Sequence, residues 1–258
     1  MPTALITGAS AGLGEGFARE LAGRGHDLIL TARRAERLHE LAAELRAGHG
    51  VAVHVFASDL MEPDAPDRLL ADVAAAGLRI DTLINNAGFG LRGDFAKQDR
   101  REMLGMVDLN CRSLVALAHG VLPQMIERRS GGILNIASTA AFQPGPWMSV
   151  YYATKAFVLS FSEGLHEEVR DQGVRVTALC PGPTRTEFAG RAGMTDMPLF
   201  TKLASDAAGV VRDGLAALDA GRAVKVSGVV NALMADATRF TPRLVARKIA
   251  GSMQKRRG

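Results

Sequence analysis

The sequence predicts an α/β fold in which a parallel sheet is covered by helices on both faces. Short apolar runs alternate with longer amphipathic segments along the 258 residues, which is typical of strand–helix–strand units. Several of the runs are apolar almost throughout, as strands buried on both faces are. A glycine-rich segment, Thr7 to Gly14, joins the first run to the first helical pattern. The fold class is therefore a doubly wound, seven-stranded parallel sheet, in which ligands bind beyond the carboxyl ends of the strands.

The hydrophobic periodicity places each element in turn. It predicts strands near residues 3–7, 27–31, 51–56, 81–84, 131–136, 174–180 and 222–226. It predicts helices over residues 13–24, 34–47, 64–76, 99–128, 150–171 and 205–219. No repeat, low-complexity segment or linker divides the chain. We therefore predict one domain over residues 1–258, with a basic C-terminal helical extension from about residue 229.

The composition excludes several classes of protein. A hydrophobic content of 47% fits a soluble globular protein, and no apolar run approaches the ~18 residues needed to cross a bilayer. The segment from Met1 to Gly8 lacks the basic flank and the long apolar run of a signal peptide. Cys111 and Cys180 show no metal-ligand spacing, so we expect free thiols, a cytoplasmic location and no bound metal.

The net charge of +4 is unevenly distributed along the chain. From Arg239 to Gly258 there are seven basic residues and no acidic ones. Without these seven, 24 basic residues face 27 acidic ones, a balance of −3. The basic character therefore belongs to the C-terminal segment, and nucleic-acid binding by the rest of the chain is not expected.

The glycine-rich segment is a candidate phosphate-binding turn. Glycines allow the backbone to approach a pyrophosphate closely, and the following helix N-terminus offers unpaired N–H groups. The glycines are spaced G-x-x-x-G-x-G, which differs from the common G-x-G-x-x-G pattern. A strand-to-helix turn without a ligand is the alternative, but the position at the first strand–helix junction favours phosphate binding.

Two arginines follow the second predicted strand. Dinucleotide folds that prefer NAD place an acidic residue here, whereas those that prefer NADP offer arginine to the 2′-phosphate. Arg33 and Arg34 stand here, and Asp27 lies at the wrong end of the strand. A guanidinium binds phosphate bidentately, so we expect NADP(H), with Arg33 as the better candidate. The alternative is that both arginines begin a solvated helix.

Polar residues also follow three later strands. Asp59 could accept a hydrogen bond from an adenine amino group, although an N-cap role for Ser58 or Asp59 is equally plausible. The segment from Asn85 to Gly88 suits a tight turn, and its amides could also hold the adjoining backbone. In the segment from Cys180 to Thr186, proline and glycine end the strand, and the threonines could bind an amide or a phosphate.

A tyrosine and a lysine lie four residues apart at the start of the helix predicted over 150–171. Tyr151 and Lys155 therefore share one helix face, and an ammonium beside the phenol should lower its pKa from about 10. Ser138 ends the fifth strand, where its hydroxyl could hold a carbonyl oxygen. A chance pair on a solvated helix is the alternative. Asn110 lies within a long helical segment, where asparagine is unfavourable, which invites a functional explanation.

Together these residues give the chain a resemblance to the short-chain dehydrogenase/reductase family over roughly residues 3–230. The matches are Thr7-Gly8-x-x-x-Gly12-x-Gly14, Asp59, Asn85-Asn86-Ala87-Gly88, Asn110, Ser138, Tyr151-x-x-x-Lys155 and Pro181-Gly182-x-x-x-Thr186. The resemblance implies a Rossmann-type fold. It also implies a homodimer or homotetramer formed through the helices near residues 99–128 and 150–171.

The resemblance also implies the roles of the site residues. Tyr151 would be the general acid in carbonyl reduction and the general base in alcohol oxidation. Lys155 would lower its pKa and bind the nicotinamide ribose, Ser138 would orient the substrate oxygen, and Asn110 would hold a water in the proton relay. Tyr152 stands at the wrong offset and is predicted to be structural. The expected cofactor contacts are Gly8, Ser10, Gly12, Leu13, Gly14, Arg33, Asp59, Leu60, Asn86, Ala87, Gly88, Tyr151, Lys155, Pro181, Gly182, Thr184 and Thr186.

The expected reaction is hydride transfer between NADP(H) and a carbonyl or secondary alcohol, with an apolar ketone or aldehyde as substrate. The predicted pocket residues come from variable loops and are mostly apolar: Phe89, Leu91, Phe142, Pro146, Trp147, Phe188, Met194, Met197, Leu199 and Phe200. Two alternatives are a cofactor-binding sensor without turnover and a membrane-peripheral lipid ketoreductase. The basic tail carries a stripe of Val245, Ile249 and Met253, and docking on the protein body is preferred over covering the site or contacting a membrane.

Overall fold

The structure, a computed structural model, describes residues 1–194 and 204–254. Within them, seven strands form one sheet in the order β3-β2-β1-β4-β5-β6-β7, and every neighbouring pair is parallel. The strands are β1 (Thr3–Thr7), β2 (Asp27–Thr31), β3 (Val53–Val55), β4 (Thr82–Asn85), β5 (Gly131–Ile136), β6 (Val174–Cys180) and β7 (Val224–Val226). The predicted doubly wound α/β fold is confirmed.

Helices fill the connections between the strands. They are α1 (Gly12–Gly23), α2 (Ala35–His49), α3 (Ala65–Ala75), α4 (Arg100–Val107), α5 (Ser113–Glu127), α6 (Ser149–Val169), α7 (Phe188–Arg191), α8 (Ala207–Asp219), α9 (Val229–Phe240) and α10 (Arg243–Gln254). The helix predicted over residues 99–128 is interrupted by a π-helical turn, Asp108–Arg112, which separates α4 from α5. The turn carries Asn110, the residue whose low helix propensity stood out in the sequence.

The two faces of the sheet are buried in separate cores. Because side chains alternate along a strand, Ile6 packs on one face with Phe17 of α1, whereas Leu5 packs on the other with Leu117 of α5. The first core also receives Leu215 of α8. This double coverage explains why the strand sequences are apolar almost throughout.

A buried chain of polar side chains joins β4, β5 and α6. The Asn85 amide donates to the Asn135 side-chain oxygen at 3.0 Å and to the backbone oxygen of Leu114 at 3.3 Å. The Asn135 amide donates to the Ser162 hydroxyl at 2.9 Å, which donates to the backbone oxygen of Val158 at 2.6 Å. Each of these polar side chains is buried and hydrogen-bonded, as stable interiors require.

The last two helices lie over the carboxyl edge of the sheet. Helix α10 follows Pro242 and buries Ala246, Ala250 and Gln254. At Gly251 a Cβ atom would lie 3.3 Å from the Trp147 ring, so the helix approaches the body closely there. In the described part of the chain, a helix with the length and apolarity to cross a membrane is not found.

Candidate active site

A cavity of about 840 Å³ runs along the carboxyl edge of the sheet. Its size falls in the range of ligand pockets. Every residue predicted from the sequence to bind cofactor or substrate oxygen lines it, except Gly14 and Asn110, which lie behind its wall. The cavity therefore joins the glycine-rich turn, the Arg33 and Arg34 pair and the segment around Tyr151 in a single space.

The glycine-rich turn is a backbone cradle that side chains would fill. Gly8 and Gly12 have φ values of 65° and 59°, the left-handed region that favours glycine. A Cβ atom on Gly14 would lie 2.2 Å from the Gly8 carbonyl oxygen. Helix α1 begins after Ala11 without a side-chain cap. Its first N–H groups therefore face the cavity ready for an anion, and the turn fits a pyrophosphate.

Asn86 holds this cradle to the end of β4. Its amide donates to the carbonyl oxygens of Thr7 and Gly8 at 2.9 and 3.3 Å. The Thr7 hydroxyl in turn accepts from the backbone N–H groups of Asn86 and Ala87 at 3.0 and 2.9 Å. The side-chain role weighed for this segment, holding the adjoining backbone, is therefore the one that Asn86 plays in the structure.

The two arginines after β2 are engaged differently. Arg33 lies 3.9 Å from the Asp59 carboxylate, and its side chain is 49% exposed. Arg34 donates to the Ser10 hydroxyl at 3.2 Å and to the Ser10 carbonyl oxygen at 3.3 Å, and it pairs with Glu187 at 3.1 Å. Arg34 thus braces the glycine-rich turn, while Arg33 makes a single long ion pair at the mouth of the cavity. Both guanidinium groups fit a nucleotide phosphate at this end.

The N-cap role weighed for Ser58 and Asp59 is wrong. Helix α3 begins at Ala65, after Asp64, well beyond both residues. The Asp59 carboxylate instead accepts from the backbone N–H of Met61 at 3.1 Å, which forms a local turn.

Tyr151 and Lys155 lie in the first two turns of α6 and are both buried. The Lys155 ammonium lies 5.9 Å from the centre of the Tyr151 ring and donates to the backbone oxygen of Ile136 at 2.7 Å. The Ser138 hydroxyl lies close enough to the Tyr151 phenol to favour a lower pKa of that phenol. It also accepts from the backbone N–H of Ala140 at 3.1 Å, which fixes its position.

Burial sets the pKa values of this pair. It raises the pKa of Tyr151, and the Ser138 hydroxyl opposes that rise only in part. The lowered pKa predicted for Tyr151 is therefore wrong for this structure, because desolvation dominates and Tyr152 raises the pKa further. Burial also lowers the pKa of Lys155 to about 8, against the opposing influence of Cys111 and Cys180. The phenol is thus fully protonated near neutral pH, which is the state of a proton donor.

Asn110 positions backbone rather than lining the cavity. Its side-chain oxygen accepts from the Phe89 N–H at 3.1 Å, and its amide donates to the Phe89 carbonyl oxygen and the Thr154 hydroxyl, each at 3.0 Å. A Cβ atom on Gly88 would lie 2.9 Å from the Asn110 oxygen and 3.6 Å from the Lys155 ammonium. The π-helical turn therefore connects the segment that follows β4 to α6, next to Lys155.

The threonines after β6 make local bonds. The Thr184 hydroxyl donates to the Gly182 carbonyl oxygen at 3.0 Å, and the Thr186 hydroxyl accepts from the Phe188 N–H at 3.3 Å. Thr186 also packs against the glycine-rich turn, since a Cβ atom on Gly12 would lie 3.2 Å from the Thr186 Cβ atom. Their predicted contacts with the cofactor stay predictions.

The substrate end of the cavity differs from the prediction. Two of the predicted pocket residues line it, Phe188 and Met194, and the Phe188 ring lies 5.4 Å from that of Tyr151. Five others pack elsewhere and do not line it, because they fill neighbouring apolar clusters or contact α10: Phe89, Leu91, Phe142, Pro146 and Trp147. Met197, Leu199 and Phe200 lie outside the described residues.

The last two helices contribute to the cavity, although covering the site was the less favoured alternative for the tail in the sequence analysis. Met234 of α9 and Ile249 and Gln254 of α10 line the cavity. Tyr152, predicted to be structural, also lines it, and its hydroxyl accepts from the Gln254 amide at 3.0 Å. The Gln254 side-chain oxygen is buried and has no hydrogen-bond partner among the described residues. No local pattern marks Gln254, because it meets Tyr152 across about a hundred residues of sequence.

The fold and this cavity define a dinucleotide-binding oxidoreductase of the doubly wound class. A sequence model of the short chain dehydrogenase family matches residues 2–196. The chain belongs to that family, as the sequence motifs predicted. The matched range ends before α9 and α10, so the family match carries no information about the helices that line the substrate end.

Individual relatives agree with this assignment. Sulfoacetaldehyde reductase 2 of Chromohalobacter salexigens is 42% identical over 186 residues, which are 71% of this chain and 73% of that protein. The NADP-dependent 3-hydroxy acid dehydrogenase YdfG of Escherichia coli K12 is 41% identical over 187 residues, or 72% and 74% of the two chains. Among solved structures, a short-chain dehydrogenase from Sphingobium yanoikuyae in complex with NADPH is 38% identical, with a TM-score of 0.84 and 93% of each chain covered. The bulky-bulky ketone specific alcohol dehydrogenase of Comamonas testosteroni is 32% identical, with a TM-score of 0.79 and coverage of 93% and 92%.

Proposed function

We propose that this protein is an NADP(H)-dependent reductase of apolar ketones or aldehydes, or a dehydrogenase of the corresponding alcohols. The observation that carries the proposal is the joining of Ser138, Tyr151 and Lys155 with the glycine-rich turn in one cavity. The cofactor is NADP(H), since Arg33 and Arg34 stand where a 2′-phosphate is bound in this class of fold. The NADPH complex of the Sphingobium yanoikuyae relative supports this choice.

The residues of this chain manage a single proton. The nicotinamide ring of the bound cofactor supplies the hydride in the reducing direction and accepts it in the oxidising one. Tyr151 donates its phenolic proton to the substrate oxygen during reduction and takes it back during oxidation. Ser138 donates a hydrogen bond to the same oxygen, which stabilises the negative charge where it develops.

Lys155 and Asn110 support that proton transfer. The ammonium of Lys155 lies beside the phenol and stabilises the phenolate left by proton donation. It also lies near Gly88, since a Cβ atom on that glycine would be 3.6 Å from the ammonium, and the ribose of the cofactor is its expected partner. Asn110 acts as a positioning residue through Phe89 and Thr154, and its part in holding a relay water stays a prediction.

The cavity lining favours an apolar substrate. Its substrate end is formed by Met148, Phe188, Met194, Met234 and Ile249, with Gln254 as a polar group. Among the described residues that line this end, Lys155 is the one lysine or arginine. Arg92 lies nearby, but its guanidinium donates to the backbone oxygens of Gln254 and Gly193, so the lining itself offers a sulfonate or carboxylate little positive charge. The name of the Comamonas testosteroni relative points to large ketones, whereas the Chromohalobacter salexigens relative acts on a small anion.

The oligomeric state and location complete the proposal. Leu104 and Val107 of α4 and Phe157 of α6 are large apolar side chains exposed on the helices expected to pair, which supports a homodimer or homotetramer. The two free cysteines, of which Cys180 is buried, suit the reducing cytoplasm.

The test is a screen of ketones and aldehydes for loss of NADPH absorbance, with Tyr151→Phe as the matched variant. We expect turnover of bulky apolar ketones by the wild type and a loss of about 10²-fold or more in kcat for the variant, with a much smaller change in NADPH affinity. Tight NADPH binding without turnover across a broad panel would instead favour the sensor.

A further inference from the structure

Helix α9 turns its apolar side toward the outside of the molecule. Its large apolar residues are strongly exposed, with Phe240 at 88%, Val229 at 78%, Val230 at 69%, Leu233 at 66% and Met234 at 57%. At 3.6 residues per turn they fall, together with Ala237, on one arc of the helix. These residues form a continuous apolar patch about 18 Å long, whereas apolar residues on an ordinary protein surface are scattered.

Helix α10 extends this surface. Its Leu244, Val245 and Ile249 are 50%, 43% and 52% exposed, while Ala246 and Ala250 on its other side are buried. The helix is therefore docked on the protein by its small residues and presents its large ones outward. We call these exposed residues of α9 and α10 the apolar hairpin face.

Positive charge accompanies the apolar hairpin face. Arg239, Arg243, Arg247 and Lys248 are exposed on the same two helices, and Asp236 is the one acidic residue among residues 229–254. Three further basic residues follow in the sequence, at positions 255–257. If two copies of the chain paired through this face, their basic side chains would come together, and the repulsion between like charges would be unfavourable.

We propose that the apolar hairpin face docks on the surface of an anionic lipid bilayer. An amphipathic helix with a wide apolar arc and neighbouring lysine and arginine lies in the plane of such a surface, with its apolar side among the acyl chains. Among the described residues of α9 and α10, Arg239, Arg243, Arg247 and Lys248 form no ion pair with an acidic side chain, and negative lipid headgroups would supply that partner. Docking there is compatible with the packing of α10 on the body, because the two use opposite sides of that helix.

The cavity and the apolar hairpin face share two residues. Met234 and Ile249 belong both to the apolar hairpin face and to the cavity lining. The substrate end of the cavity therefore borders the face that would touch the bilayer, so an apolar molecule dissolved in the lipid would have a short path toward Tyr151. The docking itself does not rest on the proposed reaction, since it is measured without turnover.

The experiment is co-sedimentation of the full chain with vesicles of phosphatidylcholine alone or mixed with phosphatidylglycerol, at low and high salt. We expect binding to the phosphatidylglycerol vesicles to exceed binding to pure phosphatidylcholine by about tenfold or more and to weaken at high salt. The double variants Leu233→Asp with Phe240→Asp, and Arg243→Glu with Arg247→Glu, should each reduce it by about tenfold or more.

Matched controls carry the same changes elsewhere on the surface. Phe95→Asp alters a side chain that is 64% exposed, and Arg37→Glu with Arg68→Glu reverses two exposed charges on α2 and α3, away from the expected subunit interface. These should bind like the wild type, and NADPH affinity confirms that every variant is folded. Equal binding by wild type and hairpin variants, or none to anionic vesicles, would overturn the proposal. A fall in oligomeric state of the Leu233→Asp, Phe240→Asp protein in sedimentation velocity, without vesicle binding by the wild type, would show that a second copy covers the face.

Discussion

Replacing the buried lysine by methionine should remove a rise of stability with pH. Lys155 has a folded pKa of about 8 against 10.5 in the unfolded chain, because burial disfavours its charge. Between these values the unfolded chain binds more protons than the folded one, so wild-type stability increases as pH rises through that window. The two values correspond to roughly 2 to 3 kcal/mol between pH 7 and pH 10. Lys155→Met keeps the length of the side chain and abolishes the titration.

The measurement is urea unfolding of both proteins at pH 7, 8, 9 and 10, and the quantity of interest is their difference in unfolding free energy. The subtraction matters because burial raises the pKa of Cys111 to about 11 and of Cys180 to about 12, which lowers stability above pH 9 in both proteins. The lost hydrogen bond to Ile136 adds an offset that does not vary with pH. Lys97→Met, at a side chain that is 81% exposed, is the control and should track the wild type. A difference that stays flat from pH 7 to pH 10 would refute the reasoning.

Two further predictions concern cofactor binding. Gly14→Ala places a Cβ atom 2.2 Å from the Gly8 oxygen, so NADPH affinity measured by calorimetry should fall by about tenfold or more. Gly23→Ala on the same helix is the control and should bind NADPH normally, because the atom nearest to its Cβ lies 3.9 Å away. Unchanged affinity for Gly14→Ala would mean that the turn does not hold the pyrophosphate. The wild type should bind NADPH more tightly than NADH, and Arg33→Ala should weaken NADPH alone by about 10- to 100-fold. Arg34→Ala removes the hydrogen bonds to Ser10 and should therefore weaken the binding of both cofactors. Equal affinities of the wild type for NADPH and NADH would contradict the assignment of Arg33 and Arg34 to the 2′-phosphate.

The fold and the cofactor end of the site could be predicted because their signals are local. Strand runs such as Thr3–Thr7 are apolar on both faces, and the residues at each carboxyl end follow directly in sequence. In a parallel sheet these ends meet at one edge, so Gly8, Asn86 and Ser138 come together without further information.

The substrate end could not be predicted in the same way. The approach of Gln254 to Tyr152 depends on how α10 packs across the cavity, which no periodicity in either segment encodes. The loop residue Phe89 looked equally suited to a pocket, yet the amide of Asn110 draws its backbone into the core. The direction of the Tyr151 pKa likewise depends on burial, a tertiary property that the spacing of Tyr151 and Lys155 does not contain.

The buried polar chain from Asn85 through Asn135 to Ser162 bears on how accurately the site is built. Apolar surfaces tolerate sliding, but a helix that slid along the sheet would leave these amides without partners in a dry interior, at a cost of about 1–3 kcal/mol for each group. Ser162 lies two turns beyond Lys155 on the same helix. The height at which the ammonium reaches the sheet edge is thus set by groups that never meet a ligand. Transplanting the tyrosine and lysine alone into another α/β protein would reproduce the chemistry without its alignment.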